Sequence, residues 1–111
     1  MPQYTKGFPS HIDALEHYEE HHELLGIGTI EEYIEQADRF LGAPLADLPG
    51  VEECQRPCGM WARYNVRALL FASMTEDRFI ETYYRAERHR LGGRTFRQYC
   101  EDQCRLRWGG A

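Results

Sequence analysis

The chain has 111 residues, of which 42% are hydrophobic and 28% are charged, a balance typical of a globular domain with its own core. No apolar run approaches the ~20 residues that a membrane-spanning helix requires, and the first residues lack the features of a signal peptide. We therefore expect one domain over 1–111, with its core at about 10–108 and no membrane partner. We expect a cytoplasmic location, with an exported effector domain as the alternative.

The net charge of −5 hides a strong asymmetry along the chain. Residues 1–55 carry a net −10 and residues 56–111 a net +5, and the 11 basic residues of the second half are all arginine. The two halves can attract each other across the fold, which leaves the arginines solvated. Alternatively, the arginines can form a face for an anionic ligand, because a guanidinium group suits phosphate and stacks on bases.

Two helices are predicted in the N-terminal part of the chain. Ser10, followed three residues later by an acidic residue, is typical of a helix start, and we expect this helix to run from about His11 to Leu25 and to end at Gly26. The second helix begins after a capping box at Thr29, continues with apolar residues at helical spacing, and ends near Gly42.

A run of β-branched and aromatic residues in the middle of the chain predicts three short strands joined by tight turns. The predicted strands are Trp61–Asn65, Ala68–Met74 and Phe79–Tyr84. Because one face of such a sheet must be covered, the helices are expected to pack on one side of it.

The last predicted element is a helix of about Phe96–Arg107, which a capping box at Thr95 opens. A Pro-containing connector at 43–50 and an Arg- and Gly-rich loop at 86–94 flank the strands, and residues 108–111 form a frayed tail. The predicted fold class is α+β, with two N-terminal helices, a small antiparallel β-meander and a C-terminal helix.

The four cysteines form two pairs with equal spacing, Cys54 with Cys58 and Cys100 with Cys104. Two such pairs can supply four thiolates to a tetrahedral structural zinc ion, which would hold the last helix to the start of the sheet. Two disulfides between the pairs, which would imply an oxidising compartment, and four reduced thiols are the alternatives. Structural zinc is the cofactor that we predict, and we predict no catalytic cofactor.

Residues His17 to His21 read H-x-x-E-H, the inverted zinc-protease motif. The spacing places both imidazoles on one helix face. A peptidase is disfavoured, because 111 residues leave little room for a substrate cleft. Another metal role, surface histidines on an acidic helix, and one histidine as an acid/base group are the interpretations that stay open.

Three stretches carry a resemblance to a known group of proteins: HYEEHHELLGIGTIEEYIEQADRFLG, ARYNVRALLFASMTEDRFIETYYR and TFRQYCEDQ. Their order resembles that in small bacterial nuclease-toxin and phage-associated domains, which are grouped with barnase, EndoU, colicin-type RNases and RelE. The likeness covers roughly residues 11–103. Glu20 and Glu81 stand where that pattern commonly has basic residues, Leu25 replaces an aromatic residue, and the cysteine pairs are an addition.

The resemblance implies RNA cleavage without a catalytic metal, in which a 2′-hydroxyl attacks the adjacent phosphorus while a base and an acid move protons. It implies that His21 is the general base or acid and that His17 accompanies it. It further implies that Arg63 binds phosphate, that Thr82 donates a hydrogen bond to a phosphate oxygen, and that Tyr99 is the C-terminal aromatic residue of the site.

Three hypotheses follow. The first is a ribonuclease of toxin type, with RNA as substrate and an immunity or regulatory protein as partner; it predicts that His21, Arg63 and Thr82 converge in one cleft. The second is a non-catalytic, zinc-stabilised binding module that uses its Arg-rich half for nucleic acid or an acidic partner; it predicts one continuous arginine surface. The third is a metal-dependent enzyme at His17 and His21.

Overall fold

The chain has an α+β fold in a computed structural model that describes residues 3–107. The predicted tail, 108–111, lies outside that range. Within it, no helix combines the length and the apolar character needed to cross a membrane. In chain order the elements are α1 (His11–Leu25), α2 (Ile30–Gly42), β1 (Val51–Gln55), β2 (Trp61–Asn65), β3 (Leu70–Met74), β4 (Ile80–Arg85) and α3 (Phe96–Cys104), with 3-10 turns at Leu45–Asp47 and Arg88–Arg90.

The helices begin where their capping residues predict. Ser10 Oγ accepts a hydrogen bond from the backbone N–H of Asp13 at the start of α1, and Gly26 ends that helix with φ 70°. Thr29 caps α2 in the same way, and Thr95 forms a complete capping box at the start of α3. The predicted first helix is confirmed residue for residue, whereas α3 ends three residues earlier than predicted.

The sheet is an antiparallel meander of four strands in the order β1-β2-β3-β4, so the predicted count of three is wrong. The additional strand, β1, pairs with β2 from Val51 opposite Asn65 to Gln55 opposite Trp61. Its sequence, VEECQ, is largely polar and carries no apolar alternation, because β1 is an edge strand that is only partly buried. A turn at 56–59 makes the pairing local.

Helical and irregular segments cover both faces of the sheet, so the expectation of helices on one side is wrong. On one face the core joins α2 to β3 and β4; its buried residues include Tyr33, Leu41, Ala72, Ile80 and Tyr83. On the other face a second core joins β2 and β3 to α3; its buried residues are Ala62, Tyr64, Phe71, Leu91, Phe96 and Cys100. The strands alternate apolar residues to both faces, and each face therefore needs a covering layer.

A register shift in β4 places the residues of the candidate site. Ser73 is paired with Thr82 and Met74 with Ile80, which leaves Glu81 as an extra residue on β4. Ser73 Oγ donates a hydrogen bond of 2.5 Å to the Glu81 carboxylate. The bulge therefore brings Glu81 and Thr82 together on the side of the sheet that faces α3.

Candidate active site at the edge of the sheet

A cavity of about 650 Å³ lies at the β4 edge of the sheet, between α1, β4, residues 86–91 and α3. Its lining residues are His17, Glu20, His21, Leu24, Glu81, Thr82, Tyr84, Arg85, Ala86, Glu87, Arg90, Leu91 and Tyr99. Four of the five residues predicted to be catalytic, His17, His21, Thr82 and Tyr99, are therefore in one place, although three separate elements supply them.

A column of stacked rings holds the histidines of α1 against the sheet. The ring of Phe8 stacks on His17 with 5.5 Å between centroids, His17 stacks on His21 at 5.9 Å, and His21 stacks on Tyr84 of β4 at 5.3 Å. This column fixes the orientation of His21 at the wall of the cavity.

The surroundings of His21 favour a neutral imidazole near pH 7. Its side chain is only 18% exposed, and this burial lowers the pKa of the imidazole. The Glu20 carboxylate, 3.8 Å from Nε2, acts in the opposite direction and raises the pKa, whereas the neighbouring His17 lowers the pKa, as burial does. The net pKa of His21 lies below the ordinary 6.5, so the ring can accept a proton from a substrate at neutral pH.

His17 lies between Phe8 and His21 in the column. Its Nδ1 atom is buried and has no hydrogen-bond partner within residues 3–107. A proton on that nitrogen would lack an acceptor, which favours a proton on Nε2 over one on Nδ1.

Tyr84 of β4 contacts both His21 and Tyr99, and it was not among the residues predicted from the sequence. Its hydroxyl group shares a hydrogen bond with that of Tyr99, and its ring stacks on His21. Burial, followed by the hydrogen bond to Tyr99, raises the pKa of Tyr84 well above its ordinary value. The available signal was strand alternation, which places Thr82 and Tyr84 on the same face of β4.

Buried contacts partly neutralise the Glu81 carboxylate. Glu81 accepts the hydrogen bond from Ser73 and lies 3.5 Å from Nη1 of Arg56, whose side chain is fully buried. The Arg56 Nε donates to the backbone carbonyl of Gln103 at 2.9 Å, which links the β1–β2 turn to the end of α3. The sequence reasoning also missed Arg56, because its partners are 25 and 47 residues away.

Two arginines bring positive charge to the cavity. Arg90 is bound to Glu87, with 2.8 Å between Nε and the carboxylate. Arg85, at the end of β4, has no ion-pair partner in the part of the chain that the structure describes. Its guanidinium group is therefore the cation of the cavity that is free to bind an anion.

Arg63 lies outside the cavity, so the predicted convergence is wrong for this residue. The side chain is buried, and Nε donates to Glu53 at 2.9 Å. Nη1 donates to the carbonyl groups of Ala43 at 2.6 Å and Phe40 at 3.3 Å. These carbonyls end α2 and have no partner within the helix, so Arg63 caps α2 on the opposite face of the sheet from Thr82.

The structure does not gather the four cysteines predicted to bind zinc. Cys54 and Cys104 form a disulfide, while Cys58 is an exposed thiol and Cys100 a buried one. Burial raises the pKa of Cys100 to about 12, so this thiol stays protonated. Within residues 3–107, no group of three or more His, Cys, Asp or Glu side chains is placed to hold a metal ion. This arrangement differs from the predicted four-thiolate site. It contains one disulfide between the two cysteine pairs, where the alternative interpretation had two.

Ion pairs neutralise much of the positive charge in the second half. Arg97 binds Glu52 at 2.8 Å, and this contact, like that of Arg63, joins the two halves of the chain. The arginines in ion pairs are Arg56, Arg63, Arg90, Arg94, Arg97 and Arg105. Two of these six ion pairs join the halves and four lie within the second half, and this pattern disfavours one continuous basic surface.

No protein-family model matches this sequence, and no curated protein is detectably similar to it. The resemblance to nuclease-toxin domains therefore stays a prediction.

Proposed function

We propose that this protein is a ribonuclease-like domain that cleaves RNA at the cavity beside β4 by acid/base chemistry. The observation that supports the proposal is that His17, His21, Thr82 and Tyr99 line one cavity. The sequence resemblance singles out the same four residues.

His21 is the general base of the proposed reaction. Its low pKa keeps the imidazole neutral at pH 7, and the ring column fixes its orientation. A neutral imidazole at the cavity wall removes the proton from the 2′-hydroxyl of a bound ribonucleotide, and the 2′-oxygen then attacks the adjacent phosphorus. This chemistry requires a ribose and needs no catalytic metal ion.

Arg85 takes the phosphate-binding role that the resemblance gave to Arg63. It is the cavity cation without an ion-pair partner among the described residues, and Thr82, three residues before it on β4, also lines the cavity, where a hydroxyl group can bind a phosphate oxygen. Glu20 lines the cavity beside His21, and the other two cavity carboxylates are partly compensated, Glu81 by Arg56 and Glu87 by Arg90. They therefore repel a phosphate less than isolated charges would.

Passage through an oxidising compartment is part of the proposal. Disulfides persist mainly outside reducing cytoplasm, and the Cys54–Cys104 bond favours the exported-effector alternative over a strictly cytoplasmic protein.

Incubation with bulk tRNA tests the function. We expect cleavage by the wild-type protein that a chelator does not abolish, and a loss of 10²- to 10⁴-fold in the His21→Ala variant, the range for removal of a general base. His11→Ala is the matched control, because His11 lies exposed at the start of the same helix and outside the cavity. Equal, negligible cleavage by wild type and His21→Ala would refute the proposal.

A further inference from the structure

We propose that Tyr99 is the general acid of the cleavage reaction and that Tyr84 is the residue that positions it. This inference rests on the proposed ribonuclease function and assigns the group that protonates the leaving oxygen. Two observations carry it. The hydroxyl groups of Tyr84 and Tyr99 share a hydrogen bond, and both side chains line the cavity that holds His21.

Tyr84 contacts both proposed proton-transfer groups with one side chain. Its ring stacks on His21 at 5.3 Å and packs against Phe71 at 5.6 Å, while its hydroxyl group reaches Tyr99. A ring held on two sides has little rotational freedom. Tyr84 therefore keeps the base and the acid at a fixed separation across the cavity, as a reaction with two coordinated proton transfers requires.

The shared hydrogen bond uses one of the two hydroxyl protons. Burial opposes the ionisation of Tyr84, as its raised pKa indicates. If Tyr84 donates to the Tyr99 oxygen, the Tyr99 proton is left to point into the cavity. The Arg94 guanidinium, which also pairs with Asp102 at 2.9 Å, lies 5.1 Å from the centre of the Tyr99 ring and packs over it.

The proposed step balances as follows. His21 takes the proton of the 2′-hydroxyl, the 2′-oxygen forms a bond to phosphorus, and the bond from phosphorus to the 5′-oxygen breaks. The Tyr99 hydroxyl proton goes to that 5′-oxygen, and Tyr84 donates its hydrogen bond to the resulting phenolate. The products are a 2′,3′-cyclic phosphate and a 5′-hydroxyl. His21 then loses its proton to solvent, and Tyr99 regains one from solvent.

A pair of substrates tests the assignment, a ribodinucleoside phosphate and the corresponding 4-nitrophenyl ester of a ribonucleoside 3′-phosphate. Nitrophenolate leaves without protonation, so the ester does not need a general acid. We expect Tyr99→Phe to lower kcat/KM on the dinucleotide by roughly 100-fold. We expect Tyr84→Phe to lower it about tenfold, the effect of one lost hydrogen bond. Both variants should cleave the ester at nearly the wild-type rate, which also shows that they are folded.

Tyr83→Phe is the matched control. Tyr83 is the neighbour of Tyr84 on β4, and its hydroxyl donates to Gln36 Oε1 at 3.3 Å on the other face of the sheet, so the same chemical change there should affect neither substrate. An equal loss on both substrates in Tyr99→Phe would overturn the general-acid role. An unchanged rate on the dinucleotide in Tyr84→Phe would overturn the positioning role. If the wild type cleaves neither substrate, the proposed function fails and the inference falls with it.

Discussion

Removal of the Cys54–Cys104 disulfide should destabilise the domain strongly. The two cysteines are 50 residues apart, and a cross-link that closes a loop of this size lowers the free energy of the folded state relative to the unfolded chain by about 4 kcal/mol. The bond joins β1 to the last residue of α3. For a domain of this length, about 4 kcal/mol corresponds to a fall in Tm of roughly 15 °C.

The assay is thermal and guanidinium unfolding, followed by circular dichroism, of the wild type and of a Cys54→Ser/Cys104→Ser double variant. Reduction of the wild type should reproduce the double variant. Cys58→Ser is the control: this thiol is exposed, and its replacement should change the free energy of unfolding by less than about 0.5 kcal/mol. Thiol titration of the denatured, unreduced wild type should find two free thiols. Four free thiols together with one bound zinc ion per chain would refute the disulfide and support a four-thiolate site.

Two further variants test contacts away from the cavity. Asp38 is buried, and although burial alone would raise its pKa, the hydroxyl group of Thr5 and the backbone N–H groups of residues 3–5 lower it below the ordinary 3.8. A lowered folded-state pKa means that the stabilisation is present above pH 3.8 and is lost as the pH falls through the folded pKa. Asp38→Asn should therefore reduce the free energy of unfolding at pH 7 by about 1–3 kcal/mol and make that free energy less dependent on acid pH. Urea unfolding at several pH values measures both effects, and an unchanged acid dependence would contradict this role of Asp38. Arg63→Met should lower the free energy of unfolding by about 3–5 kcal/mol, because it leaves the Glu53 carboxylate and the end of α2 without their partner. RNA cleavage per folded molecule should stay at the wild-type level. A selective loss of cleavage in a stable Arg63 variant would show that Arg63 acts in the site after all.

The local features of the fold were predictable because their causes are local. Helix starts depend on a hydroxyl side chain and the next few backbone amides, so Ser10, Thr29 and Thr95 indicate them directly. Strand β1 was missed because an edge strand gains its structure from pairing with β2, a contact that leaves little trace in its own residues. The covering of both sheet faces was missed for a similar reason, since periodicity does not say which layer a helix joins.

In the candidate site, too, some residues were predictable from the sequence and others were not. The resemblance singled out His21, Thr82 and Tyr99, and these residues line one cavity. It misplaced Arg63, because the carbonyl groups that this side chain caps belong to a helix end 20 and 23 residues earlier in the sequence. The cysteine pairing could not be derived either, since spacing alone does not fix which thiols meet. The position of Arg63 and the pairing of the cysteines both depend on partners that are distant in the sequence, which the residue types alone do not identify.

The ends that the protein leaves on a cut RNA test the central claim most directly. Attack by the 2′-oxygen, with His21 as base, must leave a 2′,3′-cyclic phosphate on one fragment and a 5′-hydroxyl on the other, and it cannot cut a strand whose 2′-hydroxyl groups have been removed. Mass spectrometry of the fragments from a short defined RNA, beside its all-deoxy counterpart, gives both answers in one experiment. We predict cyclic phosphate ends from the RNA and an intact deoxy strand; fragments with 3′-hydroxyl and 5′-phosphate ends, or a cut deoxy strand, would contradict the account.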